Sequence, residues 1–98
     1  MVKHIVMWKM AQTDDKEAKA LKIKEVLEGL KNTIDVIKEI EVGINFNTSD
    51  AAADIVLVSV FDSKEDLNTY QNHPNHVAAA DNYVKPNVIE RKVADYEF

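Results

Sequence analysis

The chain is 98 residues long, 46% hydrophobic and 30% charged, with a formal net charge of −5 and no cysteine. That length and composition suit one folded core, so a single domain over residues 1–98 is expected. Disulfides, thiolate metal sites and thiol catalysis are excluded, the acidic balance argues against a nucleic-acid partner, and no apolar run approaches the ~20 residues of a membrane-spanning helix.

Val2 through Met10 is apolar and β-branched with charges near its ends, as a strand requires. Lys9 interrupts the apolar stretch, so the segment does not read as a secretory leader, and a cytoplasmic location is expected. A helix follows: Asp14 and Glu17 have capping-box spacing, and Ile23, Val26, Leu27 and Leu30 form a stripe at helical period, with Leu21 off it. Asn32-Thr33 ends that helix. Residues 36–46 form a second strand with Val36, Ile40, Val42, Ile44 and Phe46 on one face, Lys38 as the exception, and Glu39, Glu41 and Asn45 on the other.

Asn47 to Asp50 supplies turn chemistry, so the sequon Asn47-Thr48-Ser49 is read as a turn. Residues 55–61, Ile-Val-Leu-Val-Ser-Val-Phe, are the most continuously apolar strand. Ser63 caps a further helix with Asp66 at the third position beyond it, and Leu67 and Tyr70 face inward. Pro74 breaks this helix and opens a short one that runs through Val77 and three alanines until Lys85-Pro86 stops it. Residues 88–98 alternate as a last strand, Ile89 and Val93 against Glu90 and Lys92.

The order β-α-β-β-α-β is the ferredoxin-like arrangement, an α+β fold whose antiparallel sheet has strand order 4-1-3-2. The first and third strands are apolar on both faces, as central strands are, and the charges of the other two suit edges. Helices cover one face only. The uncovered face, at ~4.8 Å strand spacing and ~20 Å strand length, is roughly 400 Å², and covering it is worth on the order of 10 kcal/mol. A second copy of the chain related by a two-fold axis is the expected cover. Two facing sheets would form a dimeric α/β barrel around a space suited to a small molecule.

Four segments carry a resemblance: Lys3-His4-Ile5-Val6, Gly43-Ile44-Asn45, Tyr70-Gln71-Asn72-His73-Pro74-Asn75-His76-Val77 and Arg91-Lys92-Val93-Ala94-Asp95-Tyr96. Together the chain resembles the stress-responsive A/B-barrel (Dabb) domain family, whose members are dimeric α+β barrels. The resemblance implies a homodimer joined through the sheet. In the family's polyketide-cyclase members the tyrosine and last histidine of the third segment are the catalytic pair and the early-strand histidine lines the pocket. Those roles would fall on Tyr70, His76 and His4. Two further polar pocket positions correspond here to Leu27 and Ile55, which implies an apolar wall and a different substrate. Another branch of the family assembles robustly without an obvious reaction.

Three readings follow: a homodimeric pocket for a small, largely apolar ligand, a cyclase- or isomerase-like enzyme, and a structural stress protein. In the second, neutral His76 is the general base and Tyr70 stabilises the oxygen that gains charge. The alternative is that His73 and His76 fix a helix corner and Tyr70 packs in the core. His4, Trp8, Leu27, Ile55 and His73 are the candidate ligand-binding residues, Trp8 also being a possible stacking platform. His4 shares a strand face with Val2, Val6, Trp8 and Met10, and points into the enclosed space if that face lies between the sheets. His73-x-x-His76 has metal-ligand spacing but would need a third ligand, for which Glu65, Asp66 and Asp81 are the nearby candidates in sequence. The proline between the histidines disfavours a shared site, so neither metal nor cofactor is expected.

Overall fold

A computed structural model describes residues 1–98. The elements in chain order are β1 (Val2–Met10), α1 (Lys16–Gly29, prolonged by a 3₁₀ turn over Leu30–Asn32), β2 (Glu39–Ile44), β3 (Ile55–Phe61), α2 (Lys64–Asn72), α3 (Pro74–Ala79) and β4 (Val88–Glu97). A π-helical turn over Ala80–Val84 and a 3₁₀ turn over Lys85–Asn87 join α3 to β4. The four strands form one sheet in the order β2-β3-β1-β4, antiparallel throughout. This is the expected ferredoxin-like α+β fold.

The alternation of β1 decides which face meets the helices. Val2, His4, Val6, Trp8 and Met10 are each 6% exposed or less, while Ile5 is half-buried and Met7 is 43% exposed. The His4 face therefore lies under the helices of its own chain, not between sheets. One core lies between the inner face of the sheet and α1, α2 and α3, with Ile23, Leu27, Ile34, Val42, Ile55, Leu57, Phe61 and Tyr70 all 2% exposed or less.

Three local expectations give way. The second strand begins at Glu39, because Ile34 and Ile37 turn into the core on the way to the sheet. Phe46, 96% exposed, lies beyond that strand and shares no buried face with Val42. At the start of α1, Asp15 and not Asp14 occupies the cap position and makes no side-chain capping bond; its carboxylate instead accepts from Thr13 Oγ1 at 2.8 Å. Elsewhere the turn chemistry holds. Asn47 accepts from the Ser49 N–H at 2.8 Å, and Ser63 Oγ accepts from the Asp66 N–H at 3.1 Å.

Two carboxylates lock the frame. Asp54 accepts the Met10 N–H at 2.7 Å and pairs with Lys16 at 2.8 Å, tying β1, β3 and α1 together. Glu28 accepts the Val42 N–H at 3.0 Å and Lys24 Nζ at 2.9 Å, while Lys24 donates to the Val42 carbonyl at 2.6 Å. Side chains of α1 thus occupy the free edge of β2, where an unpaired strand would invite another chain.

Candidate functional site

The inner face closes over β2 and the ends of β3 and opens from Leu57 toward β4. There a cavity of about 350 Å³ lies between the sheet and the α2–α3 segment. Its floor comes from His4, Val6, Trp8, Leu57, Val88 and Arg91, its roof from Leu27, Tyr70, Gln71, His76 and the π-helical turn. The wider turn carries Ala80 and Val84 on the cavity wall, with Asp81 and Lys85 paired at 2.9 Å beside them. Such turns recur at functional sites because the extra residue re-aims the side chains around it.

The Tyr70–Pro74 corner positions the polar groups. His73 caps α3, its Nδ1 accepting the Asn75 N–H at 3.0 Å, and Pro74 fills the first helical turn, where no N–H is needed. This brings His76 back beside Tyr70, ring centroids 4.4 Å apart. His76 Nδ1 lies 3.0 Å from the Gln71 carbonyl oxygen, which can only accept, so Nδ1 carries the hydrogen. In the neutral ring Nε2 is then a free acceptor. Burial lowers the His76 pKa from its usual value; the Gln71 carbonyl opposes this, and the charges of His4, Arg91 and His73 add to it.

Tyr70 is fully buried, packed against Phe61 at 5.1 Å between centroids, and its hydroxyl has no hydrogen-bond partner. Burial pushes its pKa up to about 12, so the phenol keeps its proton. His4 meets the Tyr70 ring edge-on at 6.2 Å, and its Nδ1 is hydrogen-bonded to the Asp95 carboxylate, across from it in the β1–β4 register. That carboxylate only accepts, so Nδ1 donates and the orientation of the His4 ring is fixed.

Of the candidates read from the sequence, His4, Trp8, Leu27, Tyr70 and His76 line this cavity. Ile55 and His73 do not. Ile55 is fully buried between Trp8 and Ile44 in the register, on the closed side of the sheet, and His73 is occupied as the cap. The cavity lies within one chain, beneath its own helices. Sequence reasoning missed Arg91, Asp95 and Gln71. The period-2 alternation of the last strand carries a signal for the first two, since Arg91, Val93 and Asp95 share one face. Gln71 acts through its backbone, and no side-chain pattern marks that. No three His, Asp or Glu side chains converge as a metal site requires.

The family model for the stress-responsive A/B-barrel domain matches residues 2–98. The chain belongs to this family. A relative of solved structure, a dimeric protein of unknown function and ferredoxin-like fold from Bacteroides fragilis, is 38% identical, with coverage of 99% of this chain and 95% of that one and a TM-score of 0.89. A Dabb family protein from Mesorhizobium loti is 17% identical, covering 98% and 94%, with a TM-score of 0.77. Hydroxynitrile lyase from Passiflora edulis is 18% identical, covering 97% and 90%, with a TM-score of 0.75. The last two show likeness of fold alone. Comparison with curated proteins gave no match. No helix is long and apolar enough to cross a membrane.

Proposed function

We propose that this chain is a single-domain, cytoplasmic, homodimeric Dabb protein that holds a small, largely apolar ligand between its helices and its sheet, with Tyr70, His76 and His4 as the polar contacts. The observation that carries the reading is the Tyr70 hydroxyl, buried beside a mainly apolar cavity with nothing to bond to. An unpartnered buried hydroxyl costs on the order of 1–3 kcal/mol, and a ligand oxygen would satisfy it. The cavity volume falls near the lower end of the ~300–1,000 Å³ range of small-molecule sites, so the ligand is small.

The dimer is supported by the outer face of the sheet. Ile5, Met7, Val56 and Val58 form an apolar centre there, and Glu39, Glu41, Glu90 and Lys92 make a charged rim, which is the anatomy of an interface. Gly43 helps keep this face level: a Cβ there would come within 3.2 Å of Val56 Cγ1. Dimeric assembly is also what the 38%-identical relative is described as having. Sedimentation equilibrium should give a dimer for the native chain and a monomer for Val58→Glu; a native monomer at micromolar concentration refutes this part.

A second reading is favoured by the His76 tautomer. With Nδ1 on the Gln71 carbonyl and the pKa lowered, Nε2 is available as a base at neutral pH. It would take a proton from a carbon beside a carbonyl, the electron pair would move onto the carbonyl oxygen, and the Tyr70 O–H would stabilise that oxygen. The fold accommodates catalysis, since the Passiflora protein is a lyase.

The test of the ligand reading is to extract small molecules from the purified protein and from Leu27→Trp, which fills the cavity. An apolar compound should leave with the native protein and be missing from the variant. Identical extracts, with Trp8 fluorescence unmoved by a panel of small apolar compounds, would sink it. Given a substrate, His76→Ala separates the readings: binding kept and turnover lost identifies the enzyme.

A further inference from the structure

Arg91 stands apart from the other charges of the cavity. It sits across from Trp8 in the β1–β4 register, on the face that meets the helices, and lines the cavity where it opens past the edge strand. It belongs to none of the chain's ion pairs and makes no side-chain hydrogen bond within it. The other two full charges on the wall, Asp81 and Lys85, neutralise each other at 2.9 Å. The cavity is therefore apolar with one uncompensated positive charge at its mouth, in a chain whose net charge is −5. A free guanidinium beside an apolar cavity matches a planar anion, which it grips with two parallel N–H donors. Deeper in, the Tyr70 hydroxyl, buried and without a hydrogen-bond partner in the chain, is a second and independent observation that points to a ligand.

We propose that the ligand is a small, mainly apolar carboxylate, its body against Trp8, Leu27 and Val84 and its carboxylate held by Arg91. This rests on the pocket reading above and narrows it to a chemical class. Arg91 is then the specificity-determining residue, and the neutral contacts of the cavity set only the size and shape of the body.

The probes are 4-phenylbutyrate and its neutral counterpart 4-phenylbutyramide, titrated at pH 8 and followed by fluorescence of Trp8, the one tryptophan of the chain. The native protein should bind the carboxylate about tenfold more tightly than the amide, as a charge-assisted bidentate contact at a partly exposed site implies. Arg91→Gln should erase that preference, the two probes then binding within twofold of each other, and Arg91→Lys should keep part of it. Equal affinity of the native protein for both probes overturns the role of Arg91 and leaves the pocket standing, as does a preference that survives Arg91→Gln. If neither probe perturbs Trp8 and isothermal titration finds no binding, the carboxylate assignment falls; the extraction comparison with Leu27→Trp then decides separately whether the pocket reading falls too.

Discussion

The helix-facing surface of the sheet has two halves with different packing. Over β2 and β3, Val42, Ile55 and Phe61 are wholly buried, in one core with Ile23 and Ile34. Over β1 and β4 the same surface carries His4, Trp8 and Arg91 and opens into a cavity. The cause lies in the roof. α1 lies along β2 and supplies large aliphatic side chains, whereas the α3 segment above β4 is built from alanines and a π-helical turn. Small side chains leave room that large ones fill. Binding chemistry is therefore found where the packing stops, and stability is concentrated where it does not.

The strongest way to break this contrast is to truncate one large side chain in each half. Phe61→Ala, in the closed half, should cost ~3–5 kcal/mol in urea unfolding, because its neighbours cannot collapse into the space. Val88→Ala, half-buried on the cavity wall, should cost under ~1 kcal/mol, since the wall already lacks close neighbours on one side. Equal losses would mean that both halves are packed alike and that the cavity carries no functional meaning.

A smaller effect separates the halves by pH. The His76 pKa is held below its unfolded value of 6.5, so between the two values the unfolded chain binds more protons than the folded one. Stability from this ring is complete above pH 6.5 and is lost as pH falls through the folded value. The carboxylates of the frame act in another window. Burial opposes charge on Glu28 and Asp54, but for Glu28 the Val42 N–H and Lys24, and for Asp54 Lys16 and the Met10 N–H, outweigh it and lower both pKa values. Their contribution is present above their ordinary values of 4.5 and 3.8 and is lost below them. Thermal melts should therefore decline in two steps on acidification, and His76→Gln should remove the first step alone. A variant whose profile overlays the native one down to pH 5 would contradict the buried, neutral ring.

Much of this architecture was legible in residue patterns. The apolar runs of β1 and β3, the Ser63 cap and the Pro74 break each follow from local chemistry, and local chemistry decided them. The orientation of the sheet was not legible, because both faces of β1 and β3 are apolar and only the attachment of the helices chooses between them. Phe46 misled for a related reason: a strand's period says which residues share a face, not where pairing ends. At the site, the Tyr70–His76 segment was legible through its resemblance to the family. Arg91 and Asp95 act on residues of β1 some ninety positions away, and only the β1–β4 register brings them there. Ile55 was assigned by correspondence alone, and the register puts it on the closed side.

The finest test of the contrast is Tyr70→Phe. In a closed core a buried tyrosine hydroxyl is bonded, and deleting it strands its partner, a loss of ~1–3 kcal/mol. Here there is no partner to strand, and the hydroxyl itself is desolvated without return. The ligand-free variant should therefore be as stable as the native chain or up to ~3 kcal/mol more so, as the desolvation penalty of the hydroxyl is relieved, with ring packing against Phe61 and His76 retained. The same change should weaken retention of the extracted compound, since the ligand loses the donor. Stability and binding would then move in opposite directions at one atom, as expected of a group kept for its function against the interest of the fold. A destabilised variant in urea unfolding would identify the hydroxyl as an ordinary, bonded part of the core, and the open half of the sheet would lose its strongest mark of a ligand.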